Sequence, residues 1–417
     1  MLVSLVSVPA GRAERQGAGA EPRNDWLTWG GPGRDFMAAA TGLLPAGEKW
    51  IAAPPRTLWE RPLGDGYSGI AVENDVVYTA YRRGGDDVVI ALDAATGRTI
   101  WEHGYAAPFA NAYAAAVGPG PYAMPQVVGD RVVTASGIGQ IHSLDKKTGT
   151  PAWSLDLYKQ FGGTRLDFGY SSHALPYKDS LIVLAGGRGR GMLRVRQADG
   201  SIGWQNGAFQ AAHSSPLLID VGGQPQVAVL LADEVAGIDP ETGEVLWRHD
   251  HPTEGGLAIS TPVWAPGNVL FVSSAYEGGS RALRLSRSGS RTAVEEVWYN
   301  SRVQVHFGSV IRQGDVVYLS NGQSIGILSA VDLATGRIRW QARDFVKAQL
   351  LAADGKLIIL DEDGNLGVGV ATPDRFQAIA KWPLLSSVSW TPPTLAGRRL
   401  FVRDRKVIMA LDLGGLR

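Results

Sequence analysis

The 417-residue chain contains no cysteine. That excludes structural disulfides, thiolate metal ligands, a cysteine nucleophile and attachment of a lipid to an N-terminal Cys. It leaves the compartment open. Charge of neither sign is in excess, since 40 Lys plus Arg balance 40 Asp plus Glu. A neutral chain lacks the broad positive field that attracts nucleic acids or anionic membranes, and no nucleic-acid partner is expected. The one basic cluster, Arg188, Arg190, Arg194 and Arg196, reads as a charged strand edge protected against edge-to-edge pairing. No apolar run reaches the roughly 18–20 residues that cross a bilayer, so no transmembrane segment is expected. After residue 57 no stretch shows amphipathic helical periodicity.

The first residues are ambiguous. Leu2–Val8 is apolar and Ala18-Gly19-Ala20 fits a small-x-small cleavage site, but a basic segment before them is missing. Residues 1–23 read as an export signal with a truncated start or as a flexible leader. Residues 24–56 follow as a clasp and connector, in which Trp26 and Trp29 stand beside a Gly/Pro turn and are expected to pack against the body of the fold.

Glycine (53 residues) and proline (23) are abundant without a collagen-like period. They punctuate short runs rich in Val, Ile, Tyr and Thr, such as Asp75–Tyr81 and Asp87–Asp93, which read as strands. One stretch recurs. Ala91–Trp101 reads ALDAATGRTIW, and it returns as SLDKKTGTPAW (Ser143–Trp153), GIDPETGEVLW (Gly237–Trp247) and AVDLATGRIRW (Ala330–Trp340). A frayed copy runs from Arg194 to Trp204. The Asp and Thr of this motif can hydrogen-bond turn backbone, and the Gly supplies a positive φ. The motif thus joins the third strand of a unit to the fourth, which carries the Trp.

Eight tryptophans close such units: Trp59, Trp101, Trp153, Trp204, Trp247, Trp298, Trp340 and Trp382. Their spacings run from 42 to 52 residues, the period of a four-stranded propeller blade. After Trp382 only three strands remain before the end, and Trp59 has no three strands before it. The prediction is an all-β, eight-bladed propeller of four-stranded antiparallel blades over residues 57–417, expected to be a monomer. The N-terminal strand bearing Trp59 completes the C-terminal blade. All eight tryptophans are expected to dock blade against blade.

The repeat Ala-x-Asp-x-x-Thr-Gly-x-x-x-Trp resembles the tryptophan-docking motif of the pyrroloquinoline quinone (PQQ)-type eight-bladed propellers, over roughly residues 57–413. The Trp26-x-x-Trp29-Gly-Gly-Pro-Gly-Arg-Asp stretch resembles the segment that precedes the first blade in bacterial members. The resemblance implies export to the periplasm or cell envelope of a bacterium. It leaves function open, because the family holds both PQQ-dependent dehydrogenases and a lipoprotein of the outer-membrane assembly machinery.

Propeller ligands commonly sit at the mouth of the central channel. Aligning the units puts Tyr67, Tyr122, His213, His306, Lys347 and Trp390 just before successive first strands, with His173 close by. These seven are the candidate ligand-binding funnel. The family enzymes need acidic and amide ligands for calcium and an Asp as base; the aligned positions offer neither Asp, Glu nor Asn. His173, His213 and His306 could meet as a metal site only if they converged, and no metal or catalytic residue is assigned. His249 and His251 read as surface residues. The expected function is a non-catalytic binding or scaffold protein of the cell envelope, its protein or small-molecule partner unnamed and no cofactor expected. The alternative is a PQQ- and calcium-dependent, or otherwise divergent, oxidoreductase that uses the funnel.

Overall fold

In the computed structural model, residues 25–44, 53–109, 117–289 and 291–414 are described. The expected leader, residues 1–23, lies outside them. Among the described residues the strands form eight sheets. The first blade shows the common pattern: Ala71–Glu73, Val76–Arg83, Asp86–Asp93 and Thr99–Ala106 pair in sequence order, each antiparallel to the next. The third blade varies it. There Ser180–Arg196 is one continuous run that pairs first with Leu175–Tyr177 and then with Ile202–Ala208, serving as second and third strand together. A one-turn helix, Leu157–Phe161, is capped by Asp156 and ends at Gly162.

The last blade joins the two ends of the chain. Thr394–Ala396, Arg399–Arg403 and Val407–Asp412 are completed by Arg56–Pro62, with Trp59 opposite Ala410. The incomplete repeats at the two ends are therefore two parts of one blade. A fully buried guanidinium latches this blade to the first. Arg403 donates to the carbonyls of Ala80 (2.7 Å) and Gly66 (3.0 Å) and to Thr79 Oγ1 (3.0 Å). Burial lowers its pKa to about 10, which leaves it charged at neutral pH.

Six of the eight tryptophans, Trp59, Trp101, Trp153, Trp204, Trp298 and Trp340, donate to a carbonyl of the following blade, and two of them show how the repeat works. The indole N–H of Trp101 donates to Lys146 O at 3.0 Å, and that of Trp298 to Leu333 O at 2.8 Å. A buried indole needs such an acceptor. The same ring lies on the glycine of that blade's turn. A Cβ on Gly149 would stand 2.5 Å from the Trp101 ring, and one on Gly336 2.5 Å from Trp298. The glycine is thus required twice, for its positive φ and for the ring above it. Trp247 departs from the pattern, because the next blade turns through Ser288–Arg291 without the motif. Its N–H is taken by Gln226 of its own blade (2.8 Å), whose amide in turn donates to Thr292 of the next. Near the axis, hydroxyls stitch neighbouring blades: Ser68 donates to Ala123 O, Ser214 to Ser260 O and Thr391 to Tyr67 O, each at 2.9 Å.

Alternating strand direction sorts the loops onto two faces. The connections between blades and the turns between second and third strands share one face, here the upper. The Asp-x-x-Thr-Gly turns lie on the lower face. The N-terminal clasp enters the channel from below. Trp26 exchanges two backbone hydrogen bonds with Val72, Leu27 O accepts from Val127 N, and Phe36 O accepts from Ala352 N. Met37–Ala38 adds a short parallel strand to Ala348–Ala353. The segment uses inner-strand edges that would otherwise face the channel unpaired.

Candidate functional site

The channel is a blind cavity of about 200 Å³. Its floor is Trp29 of the clasp, whose indole N–H reaches Thr261 Oγ1 at 3.1 Å and whose ring stacks on His173 at 4.2 Å. Six of the seven candidate residues line it: Tyr67, Tyr122, His173, His213, His306 and Trp390. Lys347 does not. Its ammonium sits 5.2 Å from the Phe307 ring centre, behind the wall, and 4.0 Å from Glu362. The position before the first strand points to the axis in most blades; in this one the lysine turns aside toward its carboxylate and Phe307 takes the wall.

The upper wall is a run of rings. Tyr67 stacks on Trp390 (4.7 Å, 23°) and lies nearly parallel to Tyr122 (6.1 Å, 11°), while Phe307 tilts against Trp390 (4.9 Å). Second-layer contacts fix the rings. Trp390 donates to Glu362 at 3.0 Å. Behind Tyr67, Arg405 is held by two hydrogen bonds to Asp65 (2.7 and 2.6 Å). Burial pushes the Tyr67 hydroxyl up to about 12, so it stays protonated.

The three histidines line one cavity, each engaged by its own partner. His173 accepts from Met124 N at Nε2 (2.9 Å) and contacts Ser215 Oγ at Nδ1 (2.8 Å), so both nitrogens are engaged. Burial drives its pKa down to about 3, helped by the nearby Arg34 charge. His213 uses Nδ1 on Ser171 Oγ (2.9 Å) and His306 uses Nε2 on Tyr276 OH (2.7 Å). Nε2 of His213 has no protein partner among the described residues. Burial lowers His213 and His306 to about 4, so all three are neutral at pH 7. Among the described residues no group of three or more His, Cys, Asp or Glu has metal-holding geometry.

The fold family implies PQQ with calcium, and the wall can be tested for it. Calcium takes oxygen ligands, usually carboxylates and amides. Among the described residues the lining contains no Asp, Glu, Asn or Gln, so these residues do not fit the pair.

Sequence reasoning missed Phe168 and Tyr276 as lining residues. Both lie in loops without a repeat register. It also misplaced His251, which is fully buried: Nε2 meets Ser274 Oγ at 3.0 Å and Nδ1 accepts from Arg281 Nε at 3.0 Å. The residue follows the outer strand, but the chain turns inward there under the next blade. Of the basic cluster, Arg194 pairs with Glu241 at 2.7 Å.

Together the ring closure, the tryptophan-on-glycine docking and the aromatic channel define a PQQ-like eight-bladed propeller. The profile of the family described as outer membrane protein assembly factor BamB matches residues 51–158 and 85–342, well over half of the chain. The chain belongs to that family. It is similar to the outer membrane protein assembly factor BamB of Moranella endobia (strain PCIT), 26% identical over 400 residues, covering 89% of this chain and 92% of the relative. The crystal structure of BamB from Moraxella catarrhalis superposes with a TM-score of 0.60 at 18% identity, over 86% of this chain and 99% of that one. The quinohemoprotein alcohol dehydrogenase of Comamonas testosteroni gives a TM-score of 0.65 at 11% identity, over 94% and 81%. These two likenesses concern the fold. Among the described residues no helix is long and apolar enough to cross a membrane.

Proposed function

We propose that the chain is a non-catalytic scaffold of the bacterial cell envelope that binds a protein partner during outer-membrane protein assembly. Membership of the assembly-factor family carries the reading, supported by a relative that matches almost end to end. The wall chemistry agrees with it, since among the described residues the cavity offers no carboxylate to act as base or to hold calcium. The partner docks on the upper face. Ile325, in a turn between second and third strands, is 71% exposed, and Val388, in the connection to the last blade, is also exposed. A photo-reactive side chain placed at Ile325 or Val388 in living cells tests this. Cross-links to an outer-membrane assembly component are expected there and not from Ile100 on an outer strand. Cross-links from Ile100 alone, or from none of the three, would contradict it.

A further inference from the structure

We infer that the blind cavity is a binding site for an uncharged, planar aromatic molecule of one or two rings. The inference is independent of the scaffold reading. Size sets the first limit, because an apolar cavity of about 150 Å³ is known to take benzene, and this one is about 200 Å³. Shape sets the second. Tyr67, Tyr122, Phe307 and Trp390 present ring faces and edges, and flat π-systems gain most from offset or edge-to-face packing against such walls.

Charge decides the class. Among the described residues no Lys, Arg, Asp or Glu lines the cavity. Behind the rings Arg405 faces Asp65 and Lys347 lies near Glu362, while Arg34 lines a separate pocket that shares Trp29 with this one and donates to Gln126. The wall histidines are neutral. A carboxylate brought here would lose its water without gaining a counter-charge, which is strongly unfavourable. A neutral ring loses little. The polar groups of the wall are uncharged: Ser171, Ser215 and Thr261, with Nε2 of His213 unengaged among the described residues. The same physics disfavours the polyanionic quinone, so this site differs in ligand charge from the one the fold family implies.

The test uses the whole chain and two probes of equal size, 2-naphthol and 2-naphthoate, followed by quenching of tryptophan fluorescence and by calorimetry. Saturable binding of 2-naphthol is expected, with 2-naphthoate at least about tenfold weaker. PQQ, with or without calcium, should not displace the naphthol. Ile259→Trp and, separately, Ser171→Phe fill the cavity from different blades, and either should abolish binding while the melting transition stays cooperative. Equal affinity for both probes, displacement by PQQ, or binding that survives in a folded filled variant would overturn the inference. So would absence of naphthol binding up to about 1 mM, which would leave the cavity to water.

Discussion

Glycine 336 shows at the residue scale why the repeat is so faithful. Its φ of +69° alone would ask for glycine, but so does the φ of +70° at Gly355. Only Gly336 also carries a tryptophan ring against the place a Cβ would take. Gly355→Ala is expected to cost about 1 kcal/mol. Gly336→Ala should cost at least about 2 kcal/mol more, because the Trp298 ring must move. Urea denaturation midpoints compare the two, and equal losses would refute the docking role of the glycine. The buried histidines give a second residue-scale expectation. His142, His173, His213, His251 and His306 are lowered by burial to between about 3 and about 4. A histidine whose folded pKa lies below its unfolded value of about 6.5 contributes stability that is complete above that value. The contribution is lost as pH falls toward the folded pKa. Asp87, raised by burial to about 6, and Asp35, raised by the same cause, work in the opposite sense, but they are two groups against five. The melting temperature should therefore fall between pH 6.5 and 4, and a flat or rising profile would refute the burial of these imidazoles. The motif glycine and tryptophan were legible from sequence because they recur. His251 was not, since a histidine after an outer strand carries no mark of the turn that buries it.

Among the elements, the closing strand was legible and its latch was not. A Trp59 without preceding strands, and an Asp412 without a following one, had to belong to the same blade. The register of Trp59 on Ala410 follows. Arg403 gave no such signal, because its acceptors Ala80, Gly66 and Thr79 lie more than 320 residues away and recur nowhere. Arg403→Met is expected to cost about 3 kcal/mol or more, since it strands buried carbonyls that now have a donor. Thermal unfolding checks it, and an unchanged transition would show that the latch is idle. The clasp lies between these cases. Two tryptophans beside a Gly/Pro turn announced packing, yet the placement of Trp29 as a cavity floor depends on Thr261, 232 residues away. Five of the seven candidate residues line one cavity because equivalent positions converge on the axis, and His173 joins them from a different register. Lys347 failed because a charged side chain beside Glu362 prefers its partner to an apolar wall.

The whole molecule divides its labour between two faces and a core. Repeats make the ring, and the places where the repeats differ make the cavity and the upper surface. A ring closed by one terminal strand also predicts cooperativity. A chain beginning after Pro62 would leave the last blade with three strands and Gly97 without the Trp59 ring, and it should fail to give a single sharp unfolding transition. The central claim is that this propeller serves outer-membrane protein assembly and not quinone chemistry. The most direct measurement is the amount of folded β-barrel protein in the outer membrane of cells lacking the chain, read by heat-modifiable gel mobility. A clear fall is expected, restored by the intact chain and equally by its cavity-filled Ile259→Trp form. Barrel levels that do not change when the chain is removed would contradict the account.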